Sequence, residues 1–109
     1  TLRSTLDMAL AQGSQIVQLV TWNDYGEGTM IEPTAEYGYQ YLEIVQAARA
    51  SFDGSFAADA GLLRLPLRLL ELRRAHVGDA AVNAALDRAF DALITGDFGS
   101  AQAILDQLE

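Results

Sequence analysis

The chain has 109 residues, 50% hydrophobic and 20% charged, which suits one domain at most and excludes wholesale disorder. Fifteen acidic residues against seven basic ones, all Arg, give a net charge of -8. That balance repels phosphate backbones and anionic lipid, so neither nucleic acid nor a membrane is expected as a partner.

There is no Cys, hence no disulfide framework and no thiolate metal site, and the compartment stays open. No apolar run approaches the roughly 20 residues needed to span a bilayer. No basic segment leads into an apolar one, as a signal peptide requires. The chain opens at Thr1, already inside a helical pattern, which suggests a piece of something longer.

Leu2, Leu6, Ala9 and Leu10 recur at helical spacing, and Gly13 stands where a helix end needs positive φ. Residues 15–22 follow, rich in β-branched side chains and too short for a typical helix. The adjacent pairs Ile16-Val17 and Leu19-Val20 suit a strand covered on both faces, as in a parallel sheet. Residues 23–34 then break all periodicity, with two glycines, a proline and carboxylates at Asp24, Glu27 and Glu32. This reads as a loop at the carboxyl end of the strand.

A second helix is expected from Thr34, a good N-cap, with Tyr37, Tyr41, Ile44 or Val45, Ala48 and Phe52 on one stripe. Asp53-Gly54-Ser55 ends it. Leu62, Leu65, Leu69 and Leu72 form the next stripe. Pro66 forces that helix either to start near Asp59 and kink or to start just before the proline. Asp79 is an N-cap for a helix carrying Val82, Leu86, Ala89, Phe90 and Leu93, which Gly96 stops. Asp97 opens a last helix with Ala101, Ile104, Leu105 and Leu108.

A single strand cannot satisfy its own backbone donors and acceptors. Residues 15–21 therefore imply the last strand of a larger parallel sheet or barrel. The expected class is α/β: residues 1–54 as the last strand–helix portion of a (β/α)8 barrel, and residues 55–109 as a helical extension. In such barrels the loops after the strands carry the chemistry. Asp24 and Glu27 then sit at the working face, Gly26 and Gly28 let a ligand come close, and Trp22 and Tyr25 offer faces for stacking a sugar. Paired carboxylates beside aromatics suit glycosidic-bond chemistry, in which one acid protonates the leaving oxygen and a second group assists attack.

Trp22-Asn23-Asp24-Tyr25-Gly26-Glu27 resembles the corresponding segment of glycoside hydrolase family 71, the α-1,3-glucanases. Glu27-Gly28-Thr29-Met30-Ile31-Glu32-Pro33 resembles that of family 99, the endo-α-mannosidases and endo-α-mannanases. Together they look like the bacterial family 71/99-like proteins, with the resemblance concentrated in residues 15–42. It implies Glu27 as general acid and Asp24 as the partner carboxylate, which helps deprotonate the sugar 2-hydroxyl. Family 99 has Glu where Asp24 stands and Trp-His where Tyr25-Gly26 stand, departures that pull away from mannan and towards α-glucan. A related group belongs to polysaccharide-assembly loci, so assembly chemistry is the alternative to hydrolysis.

The expected site is thus Glu27 and Asp24 as catalytic residues, with Trp22, Asn23, Tyr25 and Glu32 against an oligo- or polysaccharide substrate. Each has a plainer role open to it: solvated loop carboxylates and turn caps for the acids, packing for the aromatics, backbone fixing for Asn23, loop holding for Glu32. No metal and no cofactor are expected, since no His lies near the loop and no Walker, dinucleotide or Gly-x-Ser-x-Gly pattern occurs. His76 follows Arg73-Arg74 at a helix end, where positive charge offsets the dipole. The partner implied by the orphan strand is the missing N-terminal part of the barrel. Without it the isolated chain is expected to be inactive and prone to self-association. A non-catalytic carbohydrate-binding module, or a helical interaction module built on residues 62–108, is the rival reading.

Overall fold

A computed structural model describes residues 1–109. It is mostly helical, with five α-helices, no named strand, and two compact units, Thr1–Ala60 and Gly61–Glu109.

The first unit holds α1 (Leu2–Ala11) and α2 (Gln40–Phe52). Thr1 and Ser4 form a reciprocal capping box at the start of α1, so the orphan amides of the first turn find partners. Gly13 takes φ +73 just beyond the helix, the conformation that lets the chain leave it. Leu6 is buried, and α1 packs on α2. Gln46 is buried on α2 and donates from Nε2 to the Asp59 carbonyl at 3.0 Å, a polar anchor beside the stripe read as apolar. At the other end of that stripe, Phe52 is 70% exposed.

Two expectations are corrected in this unit. Residues 15–21 form neither strand nor helix. The reason is the missing partner: no backbone hydrogen bond within the chain reaches residues 15–20, and a strand exists only as a member of a ladder. The apolar side chains of this stretch stay partly uncovered, and Ile16 and Val20 are 89% and 58% exposed. The elements present are helical, and the structure shows no strand of a barrel.

The second correction concerns α2, which begins at Gln40 instead of near Thr34. Thr34 does cap, but it caps a turn: its Oγ1 accepts from the Tyr37 amide at 2.9 Å. Its backbone exchanges hydrogen bonds with Gly38. Gly38 has φ +56, a left-handed residue that a right-handed helix cannot pass through.

The second unit opens with a 3-10 turn (Leu62–Arg64), followed by α3 (Leu65–Ala75), α4 (Ala80–Thr95) and α5 (Phe98–Leu108). Pro66 lies in the first turn of α3, where its missing donor is not needed, so no kink is required. Leu65, Leu69, Leu86, Ala89 and Leu105 form one buried core. Leu67 and Leu70, on the flank of the α3 stripe, are exposed.

Asp79 Oδ1 accepts from the Val82 amide at 3.0 Å and caps α4. At the far end Gly96 has φ +83; its amide donates to Leu93 O, and the Asp97 amide donates to Ala92 O at 2.9 Å. This paired arrangement is the Schellman motif. Asp97 then caps α5 through the Ser100 amide, so a two-residue corner both closes one helix and opens the next. Arg68 reaches Asp106 Oδ1 at 2.6 Å and Glu109 Oε1 at 2.8 Å, fastening α3 to the end of α5.

Candidate functional site

Residues 21–32 leave and re-enter the first unit as a closed loop, and its closure is built from the backbone. The Thr21 amide donates to Thr29 O at 2.9 Å, and the hydroxyls of Thr21 and Thr29 meet at 2.9 Å. One turn further in, the Trp22 carbonyl accepts from both the Ile31 and Glu32 amides at 3.0 Å each. Ile31 is buried and pins the returning limb. The Val20–Thr21 peptide at the entrance is cis.

Inside this frame the structure brings the two candidate acids onto one turn. Asp24 is held from both sides: its amide donates to Thr21 Oγ1 at 3.2 Å, and its carbonyl accepts from the Thr29 amide at 3.1 Å. Its Oδ1 accepts from the Glu27 amide at 3.0 Å, an Asx-type cap that spans Tyr25 and Gly26. A Cβ at position 26 would come within 3.4 Å of that same oxygen. Gly28, at φ +69, reverses the chain after Glu27 and so keeps the Glu27 side chain at the exposed tip.

Tyr25 and Glu32 are paired as well. The phenol donates to Glu32 Oε1 at 2.6 Å across the loop. That hydrogen bond, with lesser help from desolvation and the carboxylate charge, pushes the Tyr25 pKa above its ordinary value of 10.0. Trp22 is 53% exposed and Tyr25 56%, so both aromatic side chains reach the surface. Asn23 is exposed, and its side chain forms no hydrogen bond; its carbonyl accepts from the Tyr25 amide at 3.1 Å.

No Lys, Arg or His occurs between Arg3 and Arg49, and none of Asp24, Glu27 and Glu32 is ion-paired. The loop is a uniformly acidic surface with proton acceptors and carboxyls at its tip. No cluster of His, Cys, Asp or Glu has the arrangement of a metal site. A groove of about 760 Å³ lies elsewhere in the unit, lined by Leu6, Leu10, Val17, Leu19, Phe52 and Phe56 among others. None of the expected site residues lines it, so the candidate acids stand on an open loop instead of in a cleft formed by this chain.

Sequence reasoning named the acids and the aromatics but missed the clasp that holds them. Thr21 and Thr29 bracket the loop, and Ile31 was read only as part of a motif. The signal available was a threonine at each foot of a glycine-rich loop, which is a weak one.

The loop thus carries carboxylates and exposed aromatic side chains, groups that can meet a hydroxyl-rich ligand. The model of a family described as Glycosyltransferase WbsX matches residues 2–45. The match takes in α1, the whole loop and the start of α2, and none of α3, α4 or α5. Over that stretch the chain is similar to a family of carbohydrate-active proteins. No curated protein and no solved structure matches the chain.

Proposed function

We propose that this chain supplies the acid/base loop of a glycan-processing enzyme of the family 71/99-like kind, acting on an α-linked mannan or glucan. Glu27 is the general acid: its carboxyl hands a proton to the glycosidic oxygen as the bond to the anomeric carbon breaks. Asp24 is its partner and takes the proton from the sugar 2-hydroxyl as that oxygen bonds to the anomeric carbon. Water then breaks this new bond by attacking the anomeric carbon, giving a proton to the Glu27 carboxylate while Asp24 returns its proton to the 2-oxygen, so both acids are restored. Trp22 and Tyr25 stack the sugar, with Asn23 and Glu32 at its rim.

The observation that carries this reading is the Glu27 amide on Asp24 Oδ1 at 3.0 Å. It puts both acids on one hydrogen-bonded turn, and neither is ion-paired. The family match across residues 2–45 supports the substrate class.

The remaining architecture follows from residues 15–21. Exposed Ile16 and Val20, with no backbone hydrogen bonds around them, are explained if this stretch is the last strand of a (β/α)8 barrel. Residues 1–54 then belong to that barrel and residues 55–109 to a helical extension. The chain alone lacks the sugar subsites and is inactive.

Transfer to a sugar hydroxyl in place of water is a second reading, favoured by the description of the matching family. The same two acids serve both reactions. The test is to incubate the full reading frame with α-mannan and α-1,3-glucan. New reducing ends indicate hydrolysis, and lengthened products indicate transfer. Neither product, or turnover unaffected by Glu27→Gln, contradicts the proposal.

A further inference from the structure

Tyr25 and Glu32 face each other across the loop, one on each limb. Glu32 is on the returning limb. Its amide is bound to the Trp22 carbonyl, its neighbour Ile31 is buried, and Pro33 follows. Tyr25 is on the turn that runs through Gly26 to Gly28, and its side chain is more than half exposed. The Glu32 carboxylate is the polar partner that sets where the exposed Tyr25 hydroxyl points. The distance of 2.6 Å is that of a short, charge-assisted bond.

A phenol has one proton. Spent on Glu32, it leaves the Tyr25 oxygen able to accept a hydrogen bond but not to donate one. Glu32 Oε1 is likewise occupied. The outer edge of this pair thus favours a ligand group that donates, as a sugar hydroxyl does, and disfavours one that only accepts, as an ether oxygen does.

We propose that Glu32 is a positioning residue that aims the Tyr25 hydroxyl, and that Tyr25 determines specificity by accepting a hydrogen bond from a free sugar hydroxyl next to Asp24 and Glu27. This rests on the glycan-processing reading. It refines the roles given above: Tyr25 touches the substrate with its hydroxyl as well as its ring, and Glu32 acts through Tyr25.

The test uses the full reading frame with α-mannan and α-1,3-glucan oligosaccharides, and four variants: Tyr25→Phe, Glu32→Ala, which removes the acceptor altogether, their combination, and Glu27→Gln. Loss of one hydrogen bond is expected to raise KM about five- to tenfold while kcat stays within about twofold. The combined variant is expected to match either single one, because Tyr25→Phe and Glu32→Ala both remove the same aimed acceptor. Additive losses, or a Tyr25→Phe enzyme with unchanged KM, overturn the inference. Full turnover by Glu27→Gln overturns the underlying reading instead. A second measurement needs no turnover: the tyrosine Cζ carbons are labelled with ¹³C and titrated in this chain. Glu32→Ala is expected to bring the Tyr25 midpoint down towards that of a free phenol. An unmoved midpoint shows that the pair does not exist and overturns the inference on its own.

Discussion

The backbone amide of Glu27 donates to Asp24 Oδ1 at 3.0 Å, so one candidate acid is the structural cap of the turn that carries the other. This double duty separates two substitutions. Asp24→Asn keeps an oxygen acceptor and the Asx turn but cannot take a proton. It is expected to keep the amide chemical shifts of residues 25–29 near those of the parent while turnover in the full reading frame falls about 10²- to 10⁴-fold. Asp24→Ala is expected to lose both. Equal spectra for Asp24→Ala and the parent would show that the cap is not needed.

Ile16 and Val20 are expected to be the sticky part of the isolated chain, because a bare strand edge recruits another. Amides of residues 15–20 are expected to exchange with solvent within the dead time of a hydrogen-exchange experiment. Sedimentation is expected to show concentration-dependent self-association, reduced by Val17→Lys. Protected amides in a monomer would mean that the segment has found a partner inside the chain.

The second unit is expected to respond to loss of volume as a packed core does. Leu86 and Leu105 are fully buried, and truncation of either to Ala is expected to cost about 2–5 kcal/mol in urea unfolding. Gly96→Ala places a Cβ at φ +83 in the Schellman corner and is expected to cost about 1–2 kcal/mol, although nothing obstructs the new methyl within 4 Å. If Gly96→Ala proves harmless, the corner is not a fixed left-handed turn.

Acid is expected to weaken the same corner. The hydroxyl and amide of Ser100 hold the Asp97 carboxyl below its ordinary value of 3.8. A lowered folded-state pKa means that the unfolded chain takes up the proton first as pH falls. The stabilisation is complete above the unfolded value and is lost as pH drops through the folded one, so the window lies below about pH 4. Asp97→Asn is expected to flatten the stability curve there, as read by thermal melts across pH. A curve unchanged by this substitution would place the acid sensitivity elsewhere.

Local chemistry made much of this chain readable before any coordinates. Asp79, Gly96 and Asp97 mark helix ends because capping and positive φ are properties of a few residues and their immediate neighbours. The leucine stripes of α3 to α5 were readable for the same reason, since their partners lie in the same unit. Residues 15–21 were not, because a strand is defined by what pairs with it, and the pattern Ile16-Val17 and Leu19-Val20 carries no information on whether that partner is present. The start of α2 was misplaced because Thr34 caps equally well a helix or a turn, and only the conformation of Gly38 decides between them. At the site, the motif named Asp24, Glu27, Tyr25 and Glu32, but the Tyr25–Glu32 bond and the Thr21–Thr29 clasp are long-range facts within the loop.

The most direct measurement is turnover of α-mannan and α-1,3-glucan by the full reading frame with Glu27 and with Glu27→Gln in its place. Glu27 is exposed, so its amide should fold as the parent does. The account expects turnover by the parent and a loss of at least about 10²-fold in the variant, with the melting temperature unchanged. Equal rates from the two proteins would contradict it.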